Sequence, residues 1–163
     1  MQNQIRIVNY NDRYAEDFAR LNRTWLESYN FLEKADEMQL DQPDELIIKP
    51  GGKILLALEQ ERVIGTCALI RMGPTKAELA KLTVADGARG KGLGRRLTMA
   101  VIDEARFMGI NHIVLLSNNK LRSAIRLYES IGFRHAALPE DVKYATADVY
   151  MELRLLSVET RKE

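Results

Sequence analysis

A glycine-rich segment, residues 89–94, lies between an apolar run that ends at Val84 and a stretch with helical periodicity. Glycines at a strand-to-helix turn let backbone N–H groups come close to an anion, and the first helical turn adds unpaired donors and a positive dipole end. The basic residues in or beside this turn are Arg89, Lys91, Arg95 and Arg96. The segment predicts either a phosphate-binding loop or a tight turn with a solvated basic rim.

Three well-known phosphate loops do not fit this segment. A Walker A loop ends in Gly-Lys-Ser/Thr, which is absent here, and the dinucleotide fingerprint would need its third glycine where Arg95 stands. A kinase-type glycine loop joins two strands, whereas this segment opens a helix. The pattern that remains is Arg/Gln-x-x-Gly-x-Gly/Ala, met by Arg89, Gly92 and Gly94. Alone, this pattern does not decide between a loop that binds phosphate and a simple turn.

Composition limits the class of protein without identifying it. The chain has 163 residues, which suits one domain, and its formal net charge of +1 gives no global field that would attract nucleic acid or an anionic membrane. A single cysteine excludes a disulfide framework and a cysteine-based metal site. The N-terminus lacks the apolar region of a signal peptide. We expect a cytoplasmic globular protein, with one domain at residues 5–156 and a tail at residues 157–163.

Periodicity predicts seven strands and about four helices. Continuous or alternating apolar runs are typical of strands, and apolar residues that recur every three or four positions are typical of amphipathic helices. The predicted strands are residues 5–8, 53–58, 63–72, 76–84, 112–116, 133–135 and 147–155. The predicted helices are residues 12–29, a short one before Pro43, one from about 92 to 108, and residues 120–131.

The unit from residue 76 to residue 116 reads strand, glycine loop, helix, strand. Such crossovers are right-handed and make their two strands parallel. The glycine loop then lies at the carboxyl end of the first strand, where open α/β sheets bind ligands. Antiparallel hairpins precede this unit, so the sequence predicts an α/β fold with a mixed sheet.

Three ordered blocks carry a resemblance to a known family. They are Glu-Leu-Ala-Lys-Leu-Thr-Val at residues 78–84, the glycine segment 89–94, and a block at residues 124–133 that matches Ala-x-x-Leu-Tyr-x-x-x-Gly-Phe. Together they resemble the GNAT superfamily of N-acetyltransferases over nearly the whole chain. The resemblance implies a mostly antiparallel sheet of six to seven strands with one splayed parallel pair, flanked by about four helices.

The resemblance also implies acetyl-CoA as cosubstrate, and the residues themselves predict no metal site. The cofactor would lie between the splayed strands, with pantetheine paired to Leu82, Thr83 and Val84, and the Val84 N–H would polarise the thioester carbonyl. The pyrophosphate would be held mainly by backbone N–H groups of the glycine segment. The residues that this assignment covers are Arg89, Gly90, Lys91, Gly92, Leu93, Gly94 and Arg95.

Two residues match the family's acid and base positions. Tyr128 corresponds to the tyrosine that protonates the departing thiolate, and Glu78 corresponds to a glutamate that deprotonates the amine, directly or through water. Each has a structural alternative: Tyr128 lies on an apolar stripe and would otherwise be a core residue, and Glu78 would otherwise be a solvent-facing strand residue.

One position departs from the family pattern. Many relatives have an asparagine that contacts pantetheine where this chain has Leu121, so Asn118 is the substitute candidate for cofactor contact, or else a helix cap. Cys67, inside an apolar strand, is expected to be a buried thiol. His112 and His135 lack the spacing of metal ligands.

The acceptor is expected to be an amine on a small molecule or a peptide. Residues 27–45 contain seven acids and one base, which suggests a cationic acceptor or else only a solvated loop, and residues 136–146 would form the other wall. The sequence is compatible with a homodimer. The alternative function is a non-catalytic domain that binds or senses acyl-CoA, but the presence of both Glu78 and Tyr128 favours an enzyme.

Overall fold

A mixed seven-stranded sheet with helices on both faces organises residues 4–156, the part of the chain that the computed structural model describes. The elements are β1 Ile5–Asn9, α1 Ala15–Ser28, α2 Lys34–Asp41, β2 Lys53–Glu59, β3 Arg62–Arg71, β4 Lys76–Val84, α3 Leu93–Phe107, β5 His112–Ser117, α4 Arg122–Ile131, β6 Arg134–Ala136 and β7 Val149–Arg154. The strand order is β1-β2-β3-β4-β5-β7-β6. Within residues 4–156, β4 and β5 are the one parallel pair. The fold class predicted from the sequence is confirmed.

Two apolar cores lie on opposite faces of the sheet because the side chains of its strands alternate. In β2, Leu55 and Ala57 pack into the core beneath α3 and α4, while Ile54 and Leu56 pack into the core beneath α1 and α2. All four are at most 4% exposed. Burial of this kind contributes roughly 1.5–3 kcal/mol for each large aliphatic side chain. The sheet is therefore clamped between two helical layers, which gives β4 and β5 a fixed frame.

The parallel pair separates soon after it forms. Pairing runs from Lys76↔His112 to Glu78↔Val114 and then stops, although β4 continues to Val84. A bulge in β4 accompanies the separation. Thr66 faces Thr83 while Ala68 faces Ala80, so β4 contains one residue more than β3 over this stretch. Bulges bend and twist a strand locally. The end of β4 consequently diverges from β5 and opens a cleft.

Two local differences from the predicted elements have clear causes. The last helix begins at Arg122 rather than at residue 120, because Asn118 forms a turn by accepting the N–H of Lys120 at 2.9 Å. A π-helical turn at Asp44–Ile48, which periodicity did not predict, buries Ile47 completely.

No helix within residues 4–156 is both long and apolar enough to cross a bilayer. The predicted tail at residues 157–163 lies outside the described residues. The domain boundary at residues 5–156 stays a prediction.

Candidate active site

A cleft of about 150 Å³ lies between the diverging ends of β4 and β5. Five of the residues predicted from the sequence line it: Glu78, Leu82, Thr83, Asn118 and Tyr128. They come from β4, the loop after β5 and α4, and only folding brings them together. Val84 and the glycine segment are not part of this lining.

Tyr128 has one side in the core and the other on the cleft. Its residue is 7% exposed, and its ring packs edge-on against Phe133 with centroids 5.7 Å apart. Within residues 4–156, every fully buried side-chain polar atom has a hydrogen-bond partner. The Tyr128 hydroxyl has no partner among these residues, so it is not fully buried and is accessible from the cleft. Burial raises the pKa of Tyr128, so the phenol keeps its proton throughout the neutral range.

Glu78 is the last β4 residue that pairs with β5, and its side chain lines the cleft while largely buried. Burial raises the pKa of Glu78, and the nearby Asp36 carboxylate raises it further, while Lys81 and Lys143 oppose the shift. A carboxyl whose pKa lies above its ordinary value is a stronger base once it is ionised. Glu78 is therefore largely buried in the cleft, and the alternative that it is a solvent-facing strand residue does not describe its position.

The bulge in β4 is centred on Lys81, a non-glycine residue with a φ of +56°. Beyond it, the Ala85 N–H donates to the Ile64 carbonyl on β3 at 2.8 Å. Because successive N–H groups of a strand point to opposite sides, the N–H of Val84 is directed toward the side where β5 has separated. This N–H is available to a ligand that enters along β4.

The glycine segment has the backbone conformation that a phosphate-binding loop requires. Gly90 and Gly92 have φ angles of +80° and +74°, in the left-handed region that favours glycine. α3 begins at Leu93, and its first backbone bond is donated by Arg96 to the Gly92 carbonyl at 3.1 Å. The N–H groups before Arg96 lie in the first turn, where they have no partner within the helix.

Two of the basic side chains around this segment, those of Arg89 and Arg95, contact other parts of the protein. Arg89 pairs with Asp86 at 3.1 Å and donates to the Val84 carbonyl at 3.2 Å. Arg95 donates to the Ser130 hydroxyl at 2.6 Å. The backbone N–H groups of the first helical turn are donors that an anion can reach without displacing these contacts.

Asn118 joins the end of β5 to the loop before β7. Its Nδ2 donates to the Thr146 carbonyl at 2.7 Å, and its Oδ1 accepts the Lys120 N–H. The N-cap of α4 is Leu121, so Asn118 is not the helix cap. Asn118 lines the cleft, and its contact with a cofactor stays a prediction.

The loop at residues 136–147 closes one side of the cleft by contacts with α2. The Glu33 carboxylate accepts hydrogen bonds from the N–H of Ala145 and from the N–H and hydroxyl of Thr146, at 2.6–3.1 Å. Partial burial by itself raises the pKa of Glu33, but these three hydrogen bonds together lower it by more, so the pKa lies below its ordinary value. The Tyr144 hydroxyl donates to Gln39 at 3.2 Å. Tyr144 and Thr146 line the cleft, so the loop lies where a second wall was expected.

A buried ion pair joins α2 to the bulge. Lys81 and Asp36 have side chains that are 7% and 6% exposed, and the Lys81 ammonium lies 5.7 Å from the centroid of the Tyr144 ring. Asp36 is the one acid of residues 27–45 that lines the cleft. Its charge is balanced by Lys81, so the acids that suggested a cationic acceptor do not give the cleft a negative lining. A cationic acceptor stays a prediction.

Two buried polar residues of the site were not singled out by the sequence patterns. Asn22 is 1% exposed and lines the cleft, and Thr66 is completely buried beside it. A signal for Asn22 does exist, because it lies four residues from both Phe18 and Leu26 on the apolar stripe of α1. Thr66 is the one hydroxyl within the apolar run at residues 63–70.

The remaining reactive side chains do not form a site. Cys67 is completely buried, and burial raises the pKa of its thiol, so it remains protonated. Across residues 4–156 no group of three or more histidine, cysteine, aspartate or glutamate side chains is arranged to hold a metal ion.

Comparison with known proteins identifies the family. Residues 15–133 match the Acetyltransferase (GNAT) family. This chain belongs to the GNAT family. A GNAT relative, the uncharacterized N-acetyltransferase YjgM of Escherichia coli, is 29% identical over 123 residues, which cover 72% of this chain and 70% of YjgM. Alignments to three curated GNAT relatives span 70%, 51% and 72% of those proteins.

Two solved acetyltransferase structures have the same architecture. An acetyltransferase of the GNAT family from Staphylococcus aureus superposes with a TM-score of 0.84 at 25% identity, covering 94% of this chain and 100% of the other. The yncA protein of Salmonella typhimurium, whose structure contains acetyl-CoA as cofactor, superposes with a TM-score of 0.71 at 23% identity, covering 93% and 94%. At 23% identity, the similarity to yncA shows a shared fold and nothing beyond it.

Proposed function

We propose that this GNAT protein transfers an acetyl group from acetyl-CoA to a primary amine on a small molecule or peptide, by direct attack of the amine on the thioester. The observation that carries the proposal is that Glu78 and Tyr128 line one cleft where β4 and β5 separate. Acetyl-CoA in the similarly folded yncA protein supports this choice of donor.

The donor would lie along the end of β4. Pantetheine is an extended chain with amide groups, so it suits pairing with the backbone of Leu82, Thr83 and Val84 on the side that β5 has vacated. The Val84 N–H would then donate to the thioester carbonyl oxygen, which gains negative charge during attack. The pyrophosphate would be held by the free N–H groups at the start of α3 and by the positive end of the helix dipole.

The chemistry requires two proton transfers at opposite ends of the reaction. An alkylammonium, with a pKa of roughly 10, must lose a proton before it attacks, and Glu78 would accept that proton. The amine nitrogen then forms a bond to the acetyl carbon, and the carbon–sulfur bond breaks. Tyr128 would give its proton to the leaving thiolate and recover one from the nitrogen as the amide forms. The products are the acetylated amine, CoA thiol and one proton, which leaves through Glu78.

The environments of the two groups suit these roles. A glutamate with a raised pKa holds a proton more readily than an ordinary one, so accepting a proton from an ammonium is less unfavourable. The phenol of Tyr128, whose pKa burial raises, remains protonated at neutral pH, as an acid must, although the same shift makes it a weaker acid toward the thiolate. Both shifts come mainly from burial, so a shape change that hydrates the cleft would weaken both.

The test is the release of CoA thiol from acetyl-CoA in the presence of an amine panel that contains polyamines, amino acids, aminoglycosides and lysine peptides. With the best acceptor, Tyr128→Phe is expected to lower kcat about 100-fold, since a general acid contributes roughly 10²–10⁴-fold. The affinity for CoA should change little. Tyr10→Phe, which alters a tyrosine outside the cleft lining, is the matched control.

The outcomes separate the two candidate functions and test the role of Tyr128. Turnover in Tyr128→Phe equal to that of the wild type would refute the role of Tyr128 as acid. Acetyl-CoA binding without turnover across the panel would indicate the non-catalytic acyl-CoA-binding domain instead. A failure to bind acetyl-CoA would refute both.

A further inference from the structure

We propose that Asn22 and Thr66 are positioning residues that hold the β4 bulge in the conformation presenting the Val84 N–H to the acyl donor. Neither belongs to the three sequence blocks shared with the GNAT family. The inference rests on the proposed function for its catalytic consequence. Its structural basis is a set of hydrogen bonds that meet at the bulge from α1 and β3.

Thr66 holds the near side of the bulge. Its hydroxyl donates to the Lys81 carbonyl at 2.7 Å and accepts from the Asn22 side-chain amide at 3.0 Å. A bulge interrupts the ladder between neighbouring strands, so backbone groups at that point need other partners. The Thr66 hydroxyl is such a partner, reaching the carbonyl of the residue whose φ is +56°.

Asn22 contacts β4 on the other side of Leu82, at Thr83. Its Oδ1 accepts from the Thr83 hydroxyl at 2.7 Å, and its Nδ2 also donates to the Phe18 carbonyl within α1 at 2.9 Å. The network therefore forms hydrogen bonds with β4 at Lys81 and at Thr83, one residue on each side of Leu82. The three polar side chains of this network, those of Asn22, Thr66 and Thr83, are at most 4% exposed, so water cannot easily replace any of these bonds.

The bulge determines how β4 faces the cleft. A one-residue change of register would turn the side chains and N–H groups that follow it to the opposite side. The left-handed conformation of Lys81 is costly for a non-glycine residue and persists only where its surroundings enforce it. With the network intact, the Val84 N–H is directed toward the vacated side of β4. Without it, we expect β4 to sample conformations in which that N–H no longer faces the thioester.

The test compares Thr66→Val with Thr66→Ser. Valine has the shape of threonine but no hydroxyl, so it breaks the bonds to both Lys81 and Asn22. Serine keeps the hydroxyl but removes a buried methyl group. We expect Thr66→Val to lower kcat at least about tenfold at saturating acetyl-CoA, and Thr66→Ser to stay within about threefold of the wild type. Thr98→Val, which removes another completely buried hydroxyl, is the control for loss of stability.

The ranking of activities separates positioning from a purely structural role. A structural role predicts that kcat falls in step with Tm across Thr66→Val, Thr66→Ser and Thr98→Val, and that result would overturn the proposal. Wild-type kcat in Thr66→Val would overturn it too. Low kcat only in Thr66→Val, with Tm comparable to that of Thr98→Val, would support it. Should Thr66→Val not fold, Thr66→Ala removes the hydroxyl without placing a methyl group against the Lys81 carbonyl, which lies 2.7 Å from that hydroxyl.

The network can also be tested apart from the proposed function. If the wild type binds acetyl-CoA but releases no thiol, the transferase proposal fails. The positioning inference is then judged by calorimetry with acetyl-CoA: Thr66→Val should raise Kd at least about threefold while Thr66→Ser does not. Equal affinity in both variants would overturn the inference.

Discussion

Lys81 and Asp36 form the buried ion pair that joins the β4 bulge to α2, and breaking it should be costly. The side chains are 7% and 6% exposed. In Lys81→Met the volume is largely kept, but the Asp36 carboxylate stays buried, where it still accepts the Glu33 N–H at 3.1 Å. Removing one member of a buried pair costs about 3–5 kcal/mol because it leaves an uncompensated charge.

The position of Asp36 reduces this cost. It lies in the first turn of α2, where the helix dipole favours a negative charge by about 0.3–1 kcal/mol, and it keeps the bond from Glu33. We therefore expect Lys81→Met to lower the free energy of unfolding by about 2–4 kcal/mol. For a chain of this size, that is a fall in Tm of roughly 5–15 °C. Lys81→Met combined with Asp36→Leu removes both charges and should recover part of the loss, because Asp36→Leu also removes the carboxylate that accepts the Glu33 N–H.

Thermal and urea unfolding followed by circular dichroism at pH 7 measure these changes. Lys49→Met is the matched control, because Lys49 pairs with Glu45 on the surface, where the side chains are 66% and 59% exposed. It should change stability by less than about 1 kcal/mol. The reasoning is refuted if Lys81→Met is as stable as Lys49→Met, or if the double variant is no more stable than Lys81→Met alone.

Three further predictions concern the donor site, the base and the loop. Gly92 has a φ of +74°, and a non-glycine residue in this left-handed conformation costs roughly 1–2 kcal/mol, so Gly92→Ala should weaken CoA binding at least about threefold in calorimetry. Gly73→Ala is the control, because Gly73 lies in open space without a positive φ and its replacement should leave the affinity unchanged. Equal affinities of the two variants for CoA would contradict the role of the glycine segment. The acidic limb of kcat/KM should lie above the ordinary glutamate pKa of about 4.3, because the pKa of Glu78 is raised and its ionised form is the base; a limb that persists unchanged in Glu78→Gln would exclude that role. The pKa of Glu33 is lowered, so its stabilisation is present above its unfolded pKa and is lost as pH falls through its folded pKa. Glu33→Gln should therefore cost about 1–2 kcal/mol at pH 7 and progressively less as pH falls below the ordinary glutamate pKa of about 4.3. A pH-independent difference in urea unfolding would contradict this.

The sequence predicted the architecture well because its signals are local. Apolar periodicity located the strands and helices to within a few residues, and the strand–loop–helix–strand unit at residues 76–116 implied the parallel pair. The family blocks placed Glu78 and Tyr128, and the structure brings both to one cleft. Their catalytic roles stay predictions.

What the sequence did not predict depends on contacts between distant residues. The bulge has a positive φ at Lys81, where no glycine in the sequence would indicate one. Its hydrogen-bond partners are Thr66 and Asn22, which lie 15 and 59 positions before Lys81 in the chain. The partner of Asp36 is 45 positions away, so the acidic segment could not be recognised as partly neutralised. Local patterns carry no record of such pairings.

Hydrogen–deuterium exchange with and without saturating acetyl-CoA locates the acyl donor on the chain. We expect acetyl-CoA to slow exchange at the amides of residues 82–84 and at the start of α3, residues 93–95, while the amides of β1 and β2 change little. Protection confined to parts of the chain outside the predicted donor site, or no protection at acetyl-CoA concentrations of about 1 mM, the upper end of ordinary KM values, would contradict this expectation.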